Sequence, residues 1–120
     1  MGYNPRMLRY VILAHDHPFS HWDFLLERQP GGALRSWRLL EEPVAGSCCP
    51  AEALPDHRRL YLDYEGPVSG DRGVVAQVDA GTYAPAADSG PEWRIRLSGR
   101  RGLAAARLMR TAAGEVWQFD

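Results

Sequence analysis

At 120 residues the chain has room for one domain, read as 1–120, with a single modest core. Hydrophobic residues make up 45% and charged residues 24%, which excludes a disordered chain, and no apolar run is long enough to span a bilayer. A net charge of −1 excludes a broad basic face for nucleic acid, although all fourteen basic residues are arginine. A GC-rich genome explains that bias better than function does, and any phosphate site is expected to be local. Cys48 and Cys49 are adjacent and the chain has no other cysteine, so no disulfide framework is possible. The N-terminus lacks a signal-peptide build, and the expected setting is the cytoplasm, away from membranes.

In chain order, residues 1–8 read as a loose lead-in. Strand signals follow at 9–15 and 21–28, joined by a turn containing Pro18, then Gln29–Gly32 breaks the pattern. Leu34–Leu40 is the next strand. From Val44 to Asp56 small residues and prolines predict a loop that crosses the structure, with one helical turn at Pro50–Leu54. His57–Glu65 is dense in Arg, Tyr and Leu. Val74–Asp79 reads as a strand, 84–91 as a flexible tip, and Glu92–Leu97 alternates cleanly. Leu103–Arg110 favours helix by its alanines, yet the bounding glycines and Thr111 favour a strand; Gly114–Phe119 closes the chain. Seven or eight short strands between Gly/Pro turns predict an all-β protein, a small antiparallel barrel or sandwich with long loops and at most short helical turns.

Three of the four histidines and two carboxylates fall within His15–Asp23. Residues two apart on a strand share a face, about 6.5 Å apart. His21 and Asp23 can therefore lean toward one ion, and His15 can meet them from the neighbouring strand. Burying three such groups without a partner is costly, which favours a metal site over three ordinary polar side chains. Two imidazoles and a carboxylate suit Mn, Fe or Zn. Within a barrel, His21, Asp23 and Glu27 are expected to line an inner pocket, with Trp22, Phe24 and Leu26 packing outward. His17, before proline in the turn, reads as solvated.

A second group, His57–Gly66, supplies an imidazole, two phenols and the guanidiniums of Arg58 and Arg59. Such groups grip phosphate oxygens and donate protons to leaving groups. Taken alone, the stretch reads equally as a solvated, charge-rich strand with Tyr61 or Tyr64 packed beneath.

With these residues in view, the chain resembles the 3′-phosphoesterase domain associated with bacterial DNA ligase D. His15, His21, Asp23 and Glu27 match the family's spaced histidines, aspartate and glutamate. Gly32, Leu34, Ser36 and Trp37 match its G-x-L-x-S-W segment, and His57, Tyr61, Glu65 and Gly66 its H-x-x-x-Y-x-x-F-E-G. Gly81-Thr82-Tyr83 and Leu97-Ser98-Gly99 match later turns. The likeness spans about residues 10–119. It implies an antiparallel barrel with a manganese-dependent site, Zn²⁺ or another divalent ion being the alternative. The reaction implied is removal of a terminal ribonucleoside or a 3′-phosphate from DNA ends, alongside repair ligases and polymerases. By carry-over, His15, His21 and Asp23 hold the metal, and His57 and Tyr61 contact the phosphate. The family's phosphate-binding arginine two residues after the aspartate is Leu25 here, for which Arg59 or Arg35 are the candidate substitutes. Two alternatives follow: a weakened module that binds strand ends without cleaving them, and an iron oxygenase built on His21, Asp23 and His57.

Overall fold

A computed structural model describes residues 7–89 and 92–120. The strands are β1 (Leu8–His15), β2 (His21–Glu27), β3 (Leu34–Leu39), β4 (Cys48–His57), β5 (Gly66–Pro67), β6 (Val74–Ser89), β7 (Glu92–Gly99), β8 (Ala105–Thr111) and β9 (Gly114–Phe119). Eight of them close into an antiparallel barrel in the order β1-β2-β3-β4-β9-β8-β7-β6, with β6 returning to pair with β1. The two-residue β5 adds to β6 outside the ring. The all-β barrel expectation is met. Among the described residues the helical content is one 3₁₀ turn, Arg59–Leu62, and no helix is long and apolar enough to cross a membrane.

Alternation explains most of this. On β2, Phe24 and Leu26 point into the barrel, where Tyr10, Ile12, Trp37, Trp93, Leu108, Trp117 and Phe119 meet them. Trp117 sits at the centre of an edge-to-face cluster, its ring 5.0 Å from Phe24 and 5.3 Å from Trp37. Such offset contacts stabilise by roughly 0.5–1.5 kcal/mol each beyond area burial. Within the ring the sixteen-residue β6 pairs with β1 and β7, and its register shifts once against each. Bulges of that kind bend a strand and let a sheet curl closed.

Three expectations need correction. The stretch 44–56 is not a crossing loop, because Cys48–His57 is a ten-residue strand paired with β3. Its pairing with β9 covers only Cys48–Ala51, so the far half is an edge, the one strand setting that tolerates Pro55. His57–Glu65 is not a strand: β4 ends at His57 and the 3₁₀ turn follows. The two faces of β2 are also reversed. Phe24 and Leu26 fill the barrel, and Leu25, two residues after Asp23, faces outward. It joins an apolar layer of Val11, Leu13, Leu34, Leu62, Val68 and Val75, formed where 59–75 folds over the barrel wall. Val74–Ser89 continues through part of the expected 84–91 tip. Gly90 and Pro91 of that tip, and residues 1–6 of the lead-in, lie outside the described residues.

Candidate metal and phosphate site

His15 ends β1 and His21 begins β2, and the hairpin pairs them directly, with ring centroids 4.8 Å apart. Asp23 follows two residues on, so its carboxylate rises beside both rings. His15 Nδ1 lies 2.9 Å from Asp23 Oδ2, and His21 Nε2 lies 3.0 Å from Asp23 Oδ1. His21 and Asp23 are only 2% and 4% exposed, and His15 is partly covered.

The outer ring nitrogens decide what this arrangement can do. His21 Nδ1 is 2.8 Å from the Phe19 carbonyl, and His15 Nε2 is 2.9 Å from the Arg72 carbonyl. A carbonyl only accepts, so each outer nitrogen carries the hydrogen. In the neutral rings the inner nitrogens are then bare lone pairs facing a carboxylate. Acceptors facing acceptors at hydrogen-bond distance repel unless positive charge sits among them. A divalent ion supplies it with both rings neutral; without one, protons must be added to the rings or the carboxyl. Outer nitrogens anchored on carbonyls are also the usual support of metal-binding imidazoles. The ligand atoms lie within 4.8 Å of one another, so the donor set fits a metal ion.

The Arg72 carbonyl is delivered by a tight loop after β5. Val68 N donates to Gly73 O at 2.8 Å, and Arg72 spans the loop to Ser69 O at 2.7 Å. Asp16 is not part of the ligand group but latches this loop, accepting from Val74 N at 2.8 Å. Gly73 has φ +80° and packs so closely that a Cβ there would lie 2.6 Å from His17 Cβ. Only glycine meets both demands without strain.

Beside this group opens a cavity of about 420 Å³. His15 and Asp23 line it with His57, Tyr61, Arg38, Arg58 and Arg72, over an apolar floor that includes Leu13, Val68 and Val75. The edge half of β4 delivers His57, whose Nδ1–H donates to Pro55 O at 3.2 Å and leaves Nε2 free. The His57 and Tyr61 rings meet edge to face at 5.8 Å. The structure thus brings five of the seven candidate residues to one place, His21 lying buried behind Asp23. The iron-oxygenase triad is not assembled, since the group around His21 and Asp23 is completed by His15 and does not include His57.

The two candidate phosphate arginines are elsewhere. Arg59 pairs with Glu27 and donates to Gly32 O at 3.2 Å. Arg35 stacks between Trp37 and Trp93, 5.0 and 4.7 Å from their ring centres, where burial lowers its pKa. Neither lines the cavity. Arg38, Arg58 and Arg72 do; of these the sequence singled out only Arg58, within the His57–Gly66 group. Arg38 was findable in principle: it has the same strand parity as Leu34 and Ser36, which face Glu27 and Leu25 across the β2–β3 pair.

No curated relative matches the chain. A family model, described as the DNA ligase D 3′-phosphoesterase domain, matches residues 13–112. That span contains His15, His21, Asp23, His57 and Tyr61, and it implies phosphoesterase chemistry directed at nucleic-acid ends. Matched over most of its length and folded as a closed antiparallel barrel, the chain belongs to the 3′-phosphoesterase domain family of DNA ligase D.

Proposed function

We propose that this protein is a manganese-dependent 3′-phosphoesterase that clears a 3′-phosphate or a terminal ribonucleoside from DNA ends before repair. The observation that carries the reading is a single cavity where a carboxylate flanked by two imidazoles meets a His–Tyr pair and arginines. His15 Nδ1, His21 Nε2 and Asp23 would hold the ion. When bound, it would draw charge from a phosphate oxygen and make water a better nucleophile.

The chain's own groups do the rest. His57, protonated on Nε2, donates to a phosphate or leaving-group oxygen in the cavity. Tyr61 adds a phenolic hydrogen bond. The apolar floor limits water in the cavity and strengthens each charged contact. A cytoplasmic setting beside a repair ligase or polymerase belongs to the same proposal, supported by the DNA ligase family and the absence of a disulfide framework.

The test is phosphate release from a 3′-phosphorylated primer, with Mn²⁺, Zn²⁺ or chelator. Release that requires Mn²⁺ supports the reading, and release with Zn²⁺ in its place changes only the ion. Folded protein that releases nothing with any divalent ion refutes the enzyme. The burial of Leu25 in the apolar layer favours one second reading, a module that holds strand ends without cutting them. Retention of the phosphorylated primer without turnover would select it.

A further inference from the structure

We propose that Arg38 is the phosphate-gripping residue of this site, taking from the neighbouring strand a role that Leu25 cannot fill. The inference deepens the phosphoesterase reading and rests on it. Leu25 has no exposed surface and lies among Val11, Leu13 and Leu34, so the position two residues after Asp23 offers a phosphate nothing. Arg38 is the direct cross-strand partner of Asp23, and in an antiparallel pair such partners project to the same side. Its side chain lines the cavity with Asp23, His15 and His57.

Its donors are also unspent. Arg38 Nε is buried with no hydrogen-bond partner. Its ion pair with Glu52 is loose at 3.7 Å, beyond hydrogen-bond reach, and Glu52 is exposed. The guanidinium rests 5.4 Å from the ring centre of Phe19, half exposed on the turn that gives His21 its carbonyl anchor. A buried N–H without an acceptor is destabilising, and a phosphate oxygen in the cavity is the acceptor that relieves it. The other two cavity arginines are worse placed. Arg72 spends its Nε and Nη2 donors on Ser69 in closing its own loop. Arg58 is exposed, 6.0 Å over the Tyr61 ring. Arg38 alone among them starts beside the metal-ligating carboxylate with donors to give. The planar fork of arginine matches two phosphate oxygens at once, and the Phe19 ring keeps that plane in place.

The deciding experiment is calorimetric titration of Mn²⁺-supplied protein with inorganic phosphate. Wild type is compared with Arg38→Ala and with the bulk-keeping Arg38→Gln, and Mn²⁺ affinity and thermal unfolding are measured on each. The expected result is a loss of phosphate affinity of roughly tenfold to a hundredfold in both variants, with Mn²⁺ affinity unchanged. Unchanged phosphate affinity overturns the proposal, as does a wild type that binds no phosphate. A parallel loss of Mn²⁺ affinity also overturns it, since Arg38 would then be supporting the metal group. Turnover on the phosphorylated primer is scored separately. Wild type that binds phosphate through Arg38 yet releases none from the primer would support Arg38 and refute the phosphoesterase.

Discussion

Two buried carboxylates on opposite flanks of β1 show how the same side chain serves fold or chemistry according to what faces it. Asp79, on β6, is saturated. Its Oδ1 accepts from the backbone N–H groups of Ala80, Arg100 and Arg101 at 2.9, 2.9 and 3.1 Å, and its Oδ2 accepts from Tyr10 OH at 2.6 Å. Burial together with that bond to Asp79 raises the Tyr10 phenol well above its ordinary value, so it stays a donor. Asp23, on β2, receives no backbone N–H from the described residues. It is faced by two ring nitrogens whose hydrogens are committed to the Phe19 and Arg72 carbonyls. The first site is complete within the fold, and the second has the donor set of the cation site proposed above.

The largest effect expected is on the saturated side. Asp79→Ala strands two backbone donors at the β7–β8 turn, that of Ala80 on β6 and the buried Tyr10 hydroxyl, and should destabilise the barrel by about 3–5 kcal/mol. Chemical denaturation of the variant measures this directly. Mn²⁺ affinity of the molecules that remain folded should not change. A loss below about 1 kcal/mol would mean water replaces the carboxylate and that the contrast with Asp23 is overdrawn.

Asp23→Asn should do the reverse. It removes the charge that two lone pairs oppose, so unfolding without metal should be unchanged or slightly harder. Mn²⁺ affinity should fall by at least about a hundredfold, beyond the effect typical of a mere support residue. Titration calorimetry on wild type and variant gives both numbers.

The same contrast shows what the sequence could reveal. His15, His21 and Asp23 were legible as a group because one hairpin brings them together, and hairpin neighbours follow from spacing alone. Asp79 was not singled out, since its partners lie 21, 22 and 69 residues away and no local pattern announces them. Arg38 was missed for a related reason: reaching Asp23 depends on the β2–β3 register. Strand period separates His21, Asp23 and Glu27 from Trp22, Phe24 and Leu26 on β2, but does not say which face is interior, because the polar face is itself buried by the outer apolar layer. The outer layer of Leu62, Val68 and Val75 that buries Leu25 comes from sequence far downstream. β4 went unread because Pro50 and Pro55 argue against a central strand and do not distinguish an edge strand from a loop.

Gly73→Ala probes how the Asp23 side of the contrast is held in place. A Cβ there meets His17 and the Asp16 latch in a backbone conformation that alanine disfavours, so the loop must shift. Global stability should fall by about 1–2 kcal/mol. The sharper readout is Mn²⁺ affinity, because the shifted loop carries the Arg72 carbonyl that fixes the His15 tautomer. Weakening of roughly tenfold is expected, as for other supports of metal ligands. Full affinity in a variant of reduced stability would show that His15 needs no such anchor.

Glu27 gives the smallest effect and the cleanest sign. It ends β2 on the same face as Asp23, yet it resembles Asp79 in being filled by the fold. Burial pushes its carboxyl up from 4.5, but hydrogen bonds from Arg59 and from the backbone N–H groups of Arg9 and Gly31 outweigh that and hold it lower. A carboxyl whose pKa is lower folded than unfolded adds stability that is fully present above the unfolded value. That contribution is lost as the pH falls from about 4.5 through the folded value, because the unfolded chain takes the proton first. Glu27→Gln has no such proton to take. At pH 7 it should be less stable than wild type by on the order of 1 kcal/mol, since Arg59 is partly solvated and its ion pair is screened. The gap should close as the pH drops below 4.5. Parallel stability curves for the two proteins across that window would mean the carboxylate is not held down by its donors, and Glu27 would move from the company of Asp79 to that of Asp23.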